Sequence, residues 1–264
     1  MKPFLRRKLY FSETMMKILA DYHTHTTYSH GKGSVFDNAD EAKSKGLKEI
    51  AIADHGFRHY AYGIKRRDVE SLRRDVLKAN GSELRVYLGI EADFCGVDGS
   101  IDIESDEIHK FDLLIAGYHK AVRANSFKGK TGFIFRNNLS KIFRPSKALI
   151  RLNTKVMIEA MRKYPIDILS HPNLVMRVDM GEIAKVAEET GTYIELNGKR
   201  ESMSDEDIEA VLKTGAMFIM DSDAHVKEHV GDVRLPIAQA ERTGIPVERI
   251  VNVDGLPAFK RIKR

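Results

Sequence analysis

Cysteine occurs once in this chain, at Cys95. No internal disulfide can form, which suits a reducing compartment and leads us to expect a cytoplasmic protein. No apolar run reaches the ~18 residues that a membrane-spanning helix needs, so membrane insertion is not expected. The N-terminus is basic (Lys2, Arg6, Arg7, Lys8), but the apolar stretch of a secretory signal does not follow it. Acidic residues are missing altogether between Asp112 and Glu159, which makes that stretch unlike the rest of the chain.

What is present describes an ordinary globular protein. The 264 residues are 42% hydrophobic and 31% charged. That length suits one α/β barrel and can bury a full core. Residues 1–16 read as an extension, with Met15 and Met16 as candidate starts. Residues 17–264 read as a single domain.

Within that domain one unit recurs: an apolar strand, a polar residue at its end, then an amphipathic helix. Strands are expected at Lys17–His23, Lys48–Ala53, Arg85–Ile90, Asp112–Gly117, Ile166–Ser170, Thr192–Leu196 and Ala216–Met220. Helices are expected at Val35–Lys45, Asp68–Asn80, Lys147–Lys163, Asp179–Thr190 and Asp205–Lys213. Gly46, Gly81, Gly191 and Gly215 stand where helix C-caps belong. Alternating strands and helices imply βαβ units and a parallel sheet. Seven nearly continuous apolar strands favour a closed, distorted (βα)7 TIM-like barrel over a doubly wound open sheet.

Histidine is the informative residue. His23 and His25 are two apart and so face one side of one strand, and His30 can return to them from the loop. Alone, the pair reads equally well as two satisfied histidines at a strand end. The other strands repeat the pattern: Asp54-His55, Glu91 then Asp93, His119, His171-Pro172, Glu195 with Asn197, and Asp221-Ser222-Asp223-Ala224-His225. Seven of the ten histidines follow strands, where α/β barrels place their sites. Only His59, His109 and His229 fall outside this pattern, and they receive no role. Neutral imidazole with a few carboxylates suits zinc, iron or manganese better than magnesium or calcium. Nine donors exceed the needs of one metal, so two or three divalent metals are implied, with Glu91 as the natural bridge.

The segments His23-x-His25, Asp54-His55-Gly56, Gly89-Ile90-Glu91, Gly117-x-His119, Ser170-His171-Pro172 and Ser222-Asp223-Ala224-His225 resemble, in order, the motifs of the PHP (polymerase and histidinol phosphatase) family, in its general hydrolase branch. The resemblance implies a distorted seven-stranded barrel with a trinuclear metal site, and hydrolysis of phosphoesters. Carried over, it implies His23, His25, Glu91 and Asp223 on one metal, His30, His55 and His225 on a second, and Glu91, His119 and His171 on a third. Many members carry Asp where this chain has His30. Asp54 reads as a carboxylate that orients a neighbouring histidine.

The acid-free stretch carries ten basic residues from Lys120 to Lys155. Setting them aside leaves the rest of the chain net acidic, although its formal charge is +5. Phe127, Phe133, Phe135 and Phe143 are interleaved. We read about 120–151 as a lid-like insertion that gathers a phosphorylated substrate. The competing readings are a nucleic-acid track along 120–155 and a solvated insertion packed on the barrel. Lys120, Arg123, Arg177 and Lys199 are candidate substrate contacts.

The function expected is hydrolysis of a phosphate monoester by a metal-activated hydroxide, with Glu91 and Asp223 in the catalytic set and Asp223 or a histidine moving protons. A small phosphorylated substrate is expected. A histidinol-phosphate phosphatase, a nuclease or phosphodiesterase, and an inactive metal-binding module are the alternatives.

Overall fold

The computed structural model describes residues 16–126, 130–139 and 144–263. Seven parallel strands, β1 (Ala20–Thr24), β2 (Glu49–Ile52), β3 (Arg85–Asp93), β4 (Leu113–Gly117), β5 (Ile168–Leu169), β6 (Tyr193–Asn197) and β7 (Phe218–Asp221), pair in chain order. Ala20, Tyr22, Ala51, Ala53, Leu113, Ile115, Ile168 and Ile219 share one buried cluster that fills the barrel. Their opposite-facing neighbours, such as Ile50, Ile52, Leu88, Ile90, Leu114 and Ala116, join a larger cluster with the helices. This is the near-continuous burial on both faces that parallel strands require.

The helices are α1 (Val35–Ser44), α2 (Val69–Ala79), a short α3 (Phe135–Leu139), α4 (Lys147–Lys163), α5 (Met180–Thr190), α6 (Asp205–Leu212) and α7 (Arg234–Thr243). Four of their starts, those of α1, α4, α5 and α6, carry a side-chain cap. Ser34 with Asp37, and Ser204 with Asp207, form reciprocal capping boxes. Gly191 takes the left-handed conformation that ends α5. Gly81 and Gly215 were expected to do the same and do not; α2 instead ends on an extended Asn80.

The barrel closes differently at its last seam. Between β7 and β1 the contact is a single bridge, Thr24 with Ala224, and side chains supply the rest. Asp221 accepts from the Tyr22 N–H at 2.7 Å. The buried Asn252 amide donates to both the Ala20 and the Met220 carbonyls, at 2.8 and 2.6 Å, and accepts from the Met220 N–H. The C-terminal segment thus stitches the two strands. Beyond it Phe259 packs edge-on against Tyr22, 4.7 Å between centroids, and Arg261 pairs with the buried Asp167 at 3.1 Å.

Of the expected extension, Met16 alone is described, and it packs against the core. The basic segment is more structured than a long loop: a π-helical turn at Lys130–Ile134 leads into α3. Phe133 is fully buried against Tyr118, while Phe135 is exposed. Phe127, Lys128, Lys141 and Phe143 lie outside the described residues. Among the described residues, no helix is long and apolar enough to cross a membrane.

Candidate metal centre

Uninterrupted alternation along β1 would turn His23 away from the barrel, because Ala20 and Tyr22 already face its interior. The pairing of β1 with β2 slips between Asp21 and Thr24. Such an irregularity re-aims the residues that follow it, and His23 and His25 meet over the end of β3. Glu91 stands there, fully buried. Within 4 Å of its two oxygens lie nitrogens of five histidines: His55 at 2.8 Å, His171 at 2.9, His23 at 3.4, His119 at 3.6 and His25 at 3.7. Gly117 makes the approach possible, since a Cβ there would collide with Ser170 Oγ and come within 3.1 Å of Glu91 Oε1.

Asp223 forms the second focus. Its Oδ1 is 3.3 Å from His25 Nε2, 3.4 Å from His225 Nδ1 and 3.9 Å from His23 Nε2. His30 lies against His225, His55 and His25, with centroids 4.1, 4.8 and 5.9 Å away. All nine residues singled out as ligands therefore converge on one cluster.

Other carboxylates hold this cluster. His23 donates from Nδ1 to Glu195 at 2.6 Å, and His119 from Nδ1 to Asp93 at 2.8 Å, leaving Nε2 of each ring toward Glu91. Glu195 also accepts from the His171 N–H at 2.6 Å and from Asn197 at 2.9 Å, and Asn197 reaches Asp223 at 3.3 Å. His171 and Asp223 both have positive φ, 28° and 53°, so this bridge holds two residues in a conformation costly for non-glycine side chains. Asp54 does something else. It lies 3.9 Å from His25 Nδ1 and accepts instead from Thr26 and Ser29, ordering the turn that carries His30.

Two buried ring nitrogens, Nδ1 of His25 and of His30, have no hydrogen-bond partner, and His55 Nδ1 and Glu91 Oε2 lie 2.8 Å apart without hydrogen-bond geometry. Unpaired polar atoms in a dry interior cost about 1–3 kcal/mol each. His25, His55 and Glu91 stand in the groups whose donor atoms come together: His23 with His25 and Glu91, His25 with His55 and His225, and His55 with Glu91 and His119, while His30 stacks on His55 beside them. This donor set fits divalent cations. The electrostatics agree. Burial, then the neighbouring His55, pushes His25 well below the ordinary histidine value. Burial and the charge of His225 bring His30 down to about 3. These two rings are neutral, as ligation requires; burial would also lower His23 and His171, but Glu91 beside them raises both. Burial would raise the Glu91 pKa, yet the charges of His119 and His23 hold it well below the carboxylate range.

The cluster opens through a cavity of about 180 Å³, lined by His30, His55, His59, Tyr62, His119, His171, Leu174, Lys199, Arg200, Asp223 and His225. Lys199 sits at its mouth, Nζ 3.1 Å from His225 and 4.0 Å from Asp223. Lys120 and Arg123 line a neighbouring cleft instead, where the Arg123 guanidinium lies over Tyr60, 4.9 Å from the ring centroid. Arg177 is exposed and donates to the Asn173 carbonyl. The sequence reading passed over His59, Tyr62 and Arg200. Their only signal was sitting a few residues beyond a strand-end motif.

A profile of the PHP domain matches residues 21–200. A probable phosphatase of Shewanella halifaxensis is 29% identical over 255 residues, covering 90% of this chain and 89% of that protein. One from Caldanaerobacter subterraneus subsp. tengcongensis is 28% identical over 267 residues, covering 94% and 93%. Among solved structures, histidinol phosphate phosphatase from Lactococcus lactis, complexed with zinc, L-histidinol and phosphate, superposes with a TM-score of 0.58. It is 13% identical and covers 91% of this chain and 96% of that one.

Proposed function

The chain belongs to the PHP domain family, and from that premise we propose that it removes phosphate from small phosphomonoesters. It is a metal-dependent phosphoesterase, and the observation that carries this reading is the carboxylate of Glu91 ringed by five histidine nitrogens within 4 Å. His23, His25, Glu91 and Asp223 would hold one metal; His30, His55 and His225 a second; Glu91, His119 and His171 a third. Zinc, manganese or iron suits these donors. Bound there, such ions supply an activated water near neutral pH and a Lewis-acid clamp on phosphoryl oxygens.

The chain's own residues do the rest. Lys199 and Arg200 place two cations at the rim, where they meet and orient a phosphoryl dianion. Asp223 is well below its ordinary pKa: burial would raise it, but His23 and His25 more than offset that. Ionised and facing the cavity, its carboxylate can accept a hydrogen bond from the incoming water and orient it. A cavity of about 180 Å³ is large enough to admit a phosphoryl group.

The test is inorganic phosphate release by protein reconstituted with manganese or zinc. Its panel holds histidinol phosphate, nucleoside monophosphates, sugar phosphates and a 3′-phosphorylated oligonucleotide, with His25→Ala as control. Release from a small ester, abolished in the control, is the expected result. Silence on every monoester would overturn the proposal and direct attention to phosphodiester bonds.

A further inference from the structure

His59 lines the same cavity as the ligand cluster, yet it belongs to none of the groups whose donor atoms converge. Its ring is fixed from several sides. It lies parallel to His55, 15° and 5.1 Å between centroids, and nearly parallel to Tyr62 at 24° and 5.2 Å. It stands edge-on to His119 at 5.9 Å.

One contact sets its chemistry. The Tyr62 backbone N–H donates to His59 Nδ1 at 3.1 Å. A backbone N–H can only donate, so Nδ1 carries no proton, and the ring's single proton is on Nε2. The ring is therefore a hydrogen-bond donor with a determined direction.

The loop that carries it is clasped to the chain after β4. His59 bridges Val122, the Tyr60 N–H donates to Ala121 at 2.7 Å, and the Arg123 N–H donates to Arg58 at 3.0 Å. At the loop's far end a Cβ on Gly63 would collide with the Gly56 carbonyl. The donor is thus held in place before any ligand arrives, which is the condition for a donor to be worth its full strength.

We propose that His59 contacts the substrate, donating a hydrogen bond from Nε2–H to a phosphoryl oxygen of the bound ester. The assignment rests on the phosphoesterase reading for the identity of the ligand. It gives the phosphoryl group a neutral donor from the loop after β2, to set beside the Lys199 cation from the loop after β6.

The experiment compares metal-loaded wild type with His59→Phe, which keeps a flat ring without a donor, and His59→Gln, which keeps an N–H. Three quantities are read: metal per chain by elemental analysis, affinity for inorganic phosphate by calorimetry, and kcat/KM on a monoester. The expectation is unchanged metal content in both variants. Phosphate affinity and kcat/KM should fall about 10- to 100-fold in His59→Phe, the range of a hydrogen bond to a charged group, with partial recovery in His59→Gln. Wild-type phosphate affinity in His59→Phe would overturn the assignment. So would loss of a metal, which would make His59 a ligand. If wild type releases no phosphate from any ester, the phosphoesterase reading fails, while the phosphate titration still decides the role of His59.

Discussion

Glu195 holds more of the centre than its place outside the ligand set suggests. One carboxylate fixes the His23 tautomer, the His171 backbone and the Asn197 amide that meets Asp223. Glu195→Gln keeps the shape but loses the charge that accepts all three donors. Metal affinity should fall about 10- to 100-fold while the fold survives, and a competitive chelator titration would show it. An unchanged affinity would mean that ligand orientation comes from packing alone. Outside the ligand cluster, Arg66 makes a two-pronged contact with Glu107, both distances 2.8 Å. Hydrogen bonds from Arg66 hold Glu107 below its ordinary value of 4.5. A depressed carboxylate pKa adds stability that is present above the unfolded value and is lost as pH falls through the folded one. The difference in urea midpoint between wild type and Glu107→Gln should therefore be constant near neutral pH and close in acid. A difference that persists in acid would show that charge is not its source.

At the scale of elements, the sequence placed all seven strands and most helices, because burial on both faces and the capping residues are local signals. α4 was expected at Lys147–Lys163 and is found there. β3 runs three residues further than expected, so Glu91 sits within a strand and not after it. α7 went unread, since neither a side-chain cap nor a strong apolar stripe announces it. The nine ligand candidates were legible because strand-end position is a sequence property. The roles of Glu195, His59 and Asn252 were not, because each depends on partners far away in the chain. Asn252 shows this best, because its amide replaces backbone pairing at the seam. Asn252→Ala would leave buried carbonyls of Ala20 and Met220 without this donor, at a cost on the order of 2–4 kcal/mol. Thermal denaturation measures it, and a near-wild-type Tm would mean that the seam needs no stitch.

For the whole molecule, the unpaired donors at the centre make metal content part of folding. A ligand bound only by the folded state stabilises it by about 2.7 kcal/mol at a hundredfold excess over Kd. Stripping the protein with a chelator should lower Tm by roughly 5 °C or more, and adding back zinc or manganese should restore it. An unmoved Tm would imply that the donors are satisfied without a cation. The seam has a further consequence. Asn252 and Ala20 are 232 positions apart, so this contact comes after most of the chain has already been ordered. Neighbouring βα units can form from local contacts, but closure pays the largest chain entropy and arrives late. Until then β1 and β7 are bare parallel edges, templates for another chain. Heating should open the barrel there first, and a weakened seam should show itself as aggregation that rises with protein concentration, before it shows as lost helix.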